Sequence, residues 1–208
     1  MRIPIPIKCP NCGRKRDVFI GLDEHEISSV CECGRDISAV LANFTVGQKL
    51  LERSRYEFVQ NCDYSLTIVF AATAMECEVS RLYFKWKRAN ALFYQDVPTD
   101  EELEEALRKL PNIADRIDEV AKLMHPAGLH GFIASDPELV KMISLGFSKL
   151  DLSNLSTSFQ KVLFWPRNRI LHLGYSKYDS AEATYCYNTA ALGIHLLNLL
   201  DQTGKAAS

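Results

Sequence analysis

Two groups of residues have the types and spacing to do chemistry. The first is four of the seven cysteines, in two tight pairs: Cys9-Pro10-Asn11-Cys12-Gly13 and Cys31-Glu32-Cys33-Gly34, with eighteen residues between them. Such a pair followed by glycine makes a knuckle, a tight turn that converges both sulfurs on one ion, and Gly13 and Gly34 supply the positive φ it needs. Four thiolates at tetrahedral geometry form a closed, structural Zn2+ site with no position open to water. A redox CxxC would instead open a helix after a strand in a βαβ unit, and it leaves the second pair unexplained. The expectation is one structural Zn2+ on Cys9, Cys12, Cys31 and Cys33. Its binding would supply the folding energy of a module too small to bury a core.

The second group lies in Trp165-Pro166-Arg167-Asn168-Arg169-Ile170-Leu171-His172-Leu173-Gly174-Tyr175. Imidazole, with a pKa near ~6.5, moves protons at neutral pH. Guanidinium is a planar fork of permanent donors suited to phosphoryl oxygens. Asn168 and His172 are four apart and share a helix face, while Arg167 is rotated ~140° from His172. RNA can be cleaved by its own 2′-hydroxyl attacking the adjacent phosphate; this needs proton transfer and charge stabilisation and no metal. The alternative is a kinked structural helix in which Arg167 and Arg169 pair with acidic groups and His172 is buried.

The string resembles the R-x4-H signature of the HEPN family, and Ala71-Ala72-Thr73-Ala74-Met75-Glu76 looks like the helix that precedes the signature there and often bears a glutamate. The resemblance covers residues 45–208, with 96–150 unaccounted for. It implies an all-α bundle, often dimeric, and a metal-independent endoribonuclease of toxin–antitoxin, CRISPR-associated or antiviral systems. RNA, a second copy of the chain and an antitoxin or defence-system partner are the implied partners. In the dimer Arg167 and His172 of two subunits would face each other, with Asn168 positioning His172 or donating to phosphate. Non-catalytic members that bind RNA or nucleotide, and a protein-interaction adaptor, are the alternative readings. Tyr175 follows His172 by three residues rather than the two at which some members carry a tyrosine that is adenylylated. The cysteine pairs, similarly, resemble a zinc ribbon.

Other segments have a chemical and a structural reading. Arg14-Lys15-Arg16 is either a phosphate contact or a solvated face beside Asp17. Arg81-Leu82-Tyr83-Phe84-Lys85-Trp86-Lys87-Arg88 interleaves bases with aromatics, as nucleic-acid surfaces do, yet also fits an amphipathic helix burying Leu82 and Trp86. His125 and His130 flank a Pro/Gly loop with no ligand partner near in sequence. Cys62, Cys77 and Cys186 sit among apolar neighbours and read as buried thiols.

The elements that must carry these groups are a small β module and a set of helices. Val18-Phe19-Ile20 suggests a hairpin between the cysteine pairs. From about Ile37 a 3.6-residue period dominates. Helices are expected from Thr45 to Cys62, with Leu50, Leu51, Phe58 and Val59 inward, and from Tyr64 to about Phe93, with Leu66 and Ile68 among its core residues. Two short helices divided by Pro111 follow, ending near Met124. His125–Gly131 reads as a loop, and Asp136–Phe147 as a helix. Ser156–Leu173 reads as a helix that kinks or restarts at Pro166. The last helix, Asp179–Leu200, is apolar around so much of its circumference that it is either central or packed on a second copy. The fold class is therefore mainly α: a HEPN-like bundle, residues 43–208, preceded by a β zinc ribbon, residues 1–42.

Composition sets the outer limits. The chain has 208 residues, 47% hydrophobic and 24% charged, in the globular range. A net charge of −2 excludes nucleic-acid binding by bulk charge alone. No membrane-length apolar run and no signal-peptide pattern stand in the sequence, so the expected setting is the cytosol.

Overall fold

Ile3, Ile5 and Ile7 alternate with Pro4 and Pro6, a period of two, and this stretch forms β1 (Arg2–Lys8), antiparallel to β2 (Lys15–Gly21). Ile5 is paired with Val18 and Ile7 with Arg16. Residues two apart in a strand present their backbone to the same edge, so the prolines, which lack N–H, lie on the edge that faces away from β2. The hairpin thus turns through the first cysteine pair. Val18-Phe19-Ile20, the stretch expected to form a hairpin, pairs back onto residues before Cys9. The computed structural model describes residues 2–21, 29–37, 45–92 and 97–204. The expected boundary at residue 42 and the expected helix end at Phe93 lie outside them.

Most of the helices begin where a side chain caps them. Thr45 and Gln48 form a reciprocal capping box for α1 (Val46–Tyr56), and Asp63 caps α2 (Tyr64–Ala91). Between them the chain widens into a π turn, Glu57–Asn61, and stops at Cys62 in the left-handed conformation, φ 52°. Thr99 with Glu102 and Asn112 cap α3 (Asp100–Arg108) and α4 (Ile113–Met124). Next come α5 (Gly128–Ala134) and α6 (Pro137–Gly146), the latter capped by Asp136. α7 (Leu155–Phe159), a π turn at Gln160–Phe164 and α8 (Trp165–Leu173) follow without a break. α9 (Ser180–Thr203) starts on the Asp179–Glu182 capping box.

α2 is the axis of the bundle, packed by α1, α4 and α9. Ile68, Met75, Val79 and Leu82 are fully buried on it, against Ile117, Phe159 and Leu196 of its neighbours. α1 and α2 meet closely at Gly47, where a Cβ would lie 2.7 Å from the Ala74 carbonyl oxygen. β1 lies against α1. Among the described residues no helix is long and apolar enough to cross a membrane.

Several expectations are corrected. Val59 and Leu66 are 53% and 39% exposed, and Cys62 is exposed, because the π turn and the helix break carry that corner out of the core. The expected loop at His125–Gly131 is mostly helix: Leu129 and Ile133, four apart, are both buried, and that burial outweighs the low helix propensity of Gly128 and Gly131. Cys77 is only half-buried, whereas Cys186 is buried. α9 is a central helix. Its Leu196, Leu197 and Leu200 are covered by the chain's own helices, so its apolar circumference needs no second copy.

Candidate functional site

α8 is shaped by a proline. Pro166 offers no N–H to the Val162 carbonyl four residues earlier. The preceding turn widens instead, the Trp165 N–H reaching Gln160, and the buried Cys186 thiol donates to the Val162 carbonyl at 3.2 Å. Burial pushes that thiol up to about 12, so it stays protonated and able to donate. The Tyr178 hydroxyl donates to the Pro166 carbonyl at 3.4 Å, and Gly174 ends the helix in the left-handed conformation. No residue of α8 is fully buried. Trp165, Asn168, Arg169 and His172 make one exposed stripe at helical spacing.

α8 closes a cavity of about 300 Å³ with α2 and α4, and Trp165 and Asn168 of the stripe border it. Arg167 reaches in from α8 and Arg116 from α4, and both meet a single carboxylate, Glu76 of α2, at 3.5 Å and 3.4 Å. Arg167 also donates to the Asn168 side-chain oxygen at 3.1 Å. The Nε atoms of Arg116 and Arg167 are buried with no acceptor among the described residues. Trp165, Gln160 and the start of α4 at Asn112 are also part of its wall.

The structure therefore brings Arg167 and Asn168 together and adds Glu76. His172 is exposed and lies outside the cavity, on the face of α8 it shares with Asn168. The structural alternative holds in part: Arg167 does pair with an acid, but Arg169 stacks on the Tyr175 ring at 4.1 Å and His172 is not buried. Arg116 went unnoticed in the sequence because its partners are 40 and 51 residues away and no local spacing marks it.

The basic and aromatic run on α2 is structural. Leu82, Tyr83 and Trp86 are buried. Arg81 binds Glu78 and Asn198, Lys85 binds Asp201, Lys87 binds Glu119 and Arg88 pairs with Asp100. His125 stands edge-on to Phe132, and the exposed His130 bonds the Leu152 carbonyl at 3.0 Å. Of the early basic residues, Arg14 pairs with Glu32 at 2.8 Å and Arg16 donates to the Val30 carbonyl at 2.7 Å, which ties the two cysteine loops together.

The four paired cysteines converge. Cys9 and Cys33 are 3.7 Å apart, Cys12 and Cys31 3.6 Å, and all four sulfurs lie within 4.8 Å of one another, unbridged by disulfides. A tetrahedral ion with metal–sulfur bonds of about 2.3 Å separates its sulfurs by about 3.8 Å, so the cluster could hold a metal ion. Gly13 and Gly34, at φ 70° and 81°, return N–H groups to the Cys9 and Cys31 carbonyls at 2.9 Å and 2.8 Å. The Arg35 backbone N–H, joined by the Asn11 amide, lowers Cys33 to about 6, and the Cys12 N–H lowers Cys9. Donors aimed at these two sulfurs favour the thiolate, the form that binds metal, whereas burial and the neighbouring thiols push Cys12 up to about 11.

Comparison of the chain with protein-family models, with curated proteins and with solved structures found no match in any of the three. The functional reading rests on the site's own chemistry and on the resemblance of the R-x4-H string.

Proposed function

We propose that the chain is a metal-independent endoribonuclease of HEPN type that carries a structural zinc ribbon. The observation that supports it is the meeting of Arg167, Asn168 and Glu76 at a polar cavity, with His172 exposed one turn further along α8. In this reading Arg167 binds the phosphodiester and stabilises its developing charge, Asn168 orients Arg167 or the phosphate, and His172 moves the proton of the 2′-hydroxyl or of the leaving oxygen. Zn2+ on Cys9, Cys12, Cys31 and Cys33 fixes the ribbon and takes no part in the reaction.

One His172 does not supply both a base and an acid. The proposal therefore includes a homodimer formed over α8, where Trp165, Leu171 and Leu173 are 55%, 51% and 75% exposed. A second copy covering these side chains would bring two His172 rings to one cleft. RNA is the substrate, and an antitoxin or defence-system protein is the further partner implied by the HEPN resemblance. The position of His172 outside the cavity favours one competing reading, an RNA- or nucleotide-binding module without catalysis.

The test is to incubate purified protein with mixed RNAs in magnesium-free buffer, beside an Arg167→Ala/His172→Ala variant. Cleavage by the native chain alone is the expected result. Equal cleavage by both would trace the activity to a contaminant and end the proposal, and retention of RNA without cleavage would favour the binding module.

A further inference from the structure

The charge balance of the cavity between α2, α4 and α8 bears on which ligand it accepts. Two guanidiniums, Arg116 and Arg167, share one carboxylate, Glu76, so one positive charge is left over. Both contacts are long for hydrogen bonds, 3.4 Å and 3.5 Å, and each arginine keeps a buried Nε with no acceptor among the described residues. Asn112 and Ile113, the cap and first residue of α4, line the same cavity, so the positive end of a twelve-residue helix opens on it.

We infer that Arg116 is a second phosphate-binding residue, set opposite Arg167 across Glu76, and that the cavity takes a singly charged internal phosphodiester in preference to a doubly charged terminal phosphate. This rests on the RNA reading of the Arg167 site. Guanidinium forks suit the paired oxygens of carboxylate and phosphoryl groups alike. Glu76 thus occupies, between the two arginines, the kind of position a phosphoryl group would take. With Glu76 present, a phosphodiester brings the cavity to zero net charge. A terminal phosphate carries about −1.5 to −2 at neutral pH and leaves the half-buried site negative. Unbalanced charge away from water is costly, and that cost sets the preference. The inference also gives work to α4, part of the segment 96–150 that the R-x4-H string does not explain.

The experiment measures binding of fluorescein-labelled single-stranded RNA by anisotropy, in a His172→Ala parent so that cleavage does not intrude. Arg116→Gln should weaken binding about tenfold and reduce the slope of log K against log salt by about 0.7. A purely structural role for Arg116 would leave that slope unchanged. Glu76→Gln should tighten RNA binding and make adenosine monophosphate a better competitor, and it tests the inference even if Arg116→Gln fails to fold. An Arg116→Gln chain with native circular dichroism and unchanged affinity and slope overturns the inference alone, as does a Glu76→Gln chain that binds no tighter. If the parent binds no RNA, the RNA reading falls and the inference with it.

Discussion

The Cys186 thiol of α9 donates to the Val162 carbonyl, the acceptor that Pro166 deprives of its helical partner. A side chain from a distant helix thus supplies a donor where the proline has none. Cys186→Ser keeps a donor of similar size and should be close to native in stability. Cys186→Val removes the donor and should cost about 1–3 kcal/mol, read by urea denaturation.

The same thiol makes a pH prediction. Its folded value, raised by burial to about 12, lies above the ordinary 9.0. Below pH 9.0 the thiol is neutral in both states and its contribution is complete; stability is then lost as pH rises from 9.0 toward 12, because only the unfolded chain ionises freely. Denaturation midpoints measured between pH 8 and pH 11 should fall less steeply for Cys186→Ser than for the native chain. Parallel curves would show that Cys186 does not titrate in this way.

Metal binding has a direct readout. Elemental analysis of freshly purified, reduced protein should find one zinc per chain, and Cys12→Ser should lose it. The helical circular dichroism of that variant should persist, because the bundle has its own core around α2. Zinc-free native protein would defeat the assignment.

Association should run through α8 rather than α9, whose leucines are covered within the chain. Leu173→Asp places a charge on the exposed apolar stretch beside His172 and should convert a homodimer into a monomer with little RNase activity. Light scattering decides it: a native chain that is monomeric and still cleaves RNA would refute the shared cleft. If the cleft is composite, mixing Arg167→Ala and His172→Ala chains should recover part of the activity that neither has alone.

Gly47→Ala should be among the more damaging single changes in the bundle. The added Cβ would sit 2.7 Å from the Ala74 carbonyl oxygen, a backbone atom that cannot step aside without parting α1 from α2. A loss of about 1–3 kcal/mol, typical of overpacking, is expected in denaturation experiments.

What the sequence made legible was what is local in it. The cysteine pairs, the helix starts at Tyr64 and near Asp179, and the Arg167–Asn168–His172 string all depend on residues within a few positions of one another. A kink or restart was expected at Pro166, and α8 starts beside it at Trp165. What was not legible depends on distance or on competing propensities. β1 was missed because two prolines argue against a strand until its edge position is known. α5 was missed because its two glycines outweigh Leu129 and Ile133 until their burial is seen. The triangle of Glu76, Arg116 and Arg167 joins three helices, and Cys186 completes a turn of another; no spacing rule links either set.

The π turn at Gln160–Phe164 gives the sequence a property that residue identity does not carry. Such a turn holds one residue more than the α-helical path requires. Winding the same residues as plain α-helix, with the R-x4-H string untouched, would turn α8 by about 100° about its axis. Arg167 would swing away from Glu76, and the exposed stripe would change its members. Two chains could thus share the same letters from Arg167 to His172 and present different groups to the cavity, so alignment of this region must count the residues before the motif as carefully as it matches those within it.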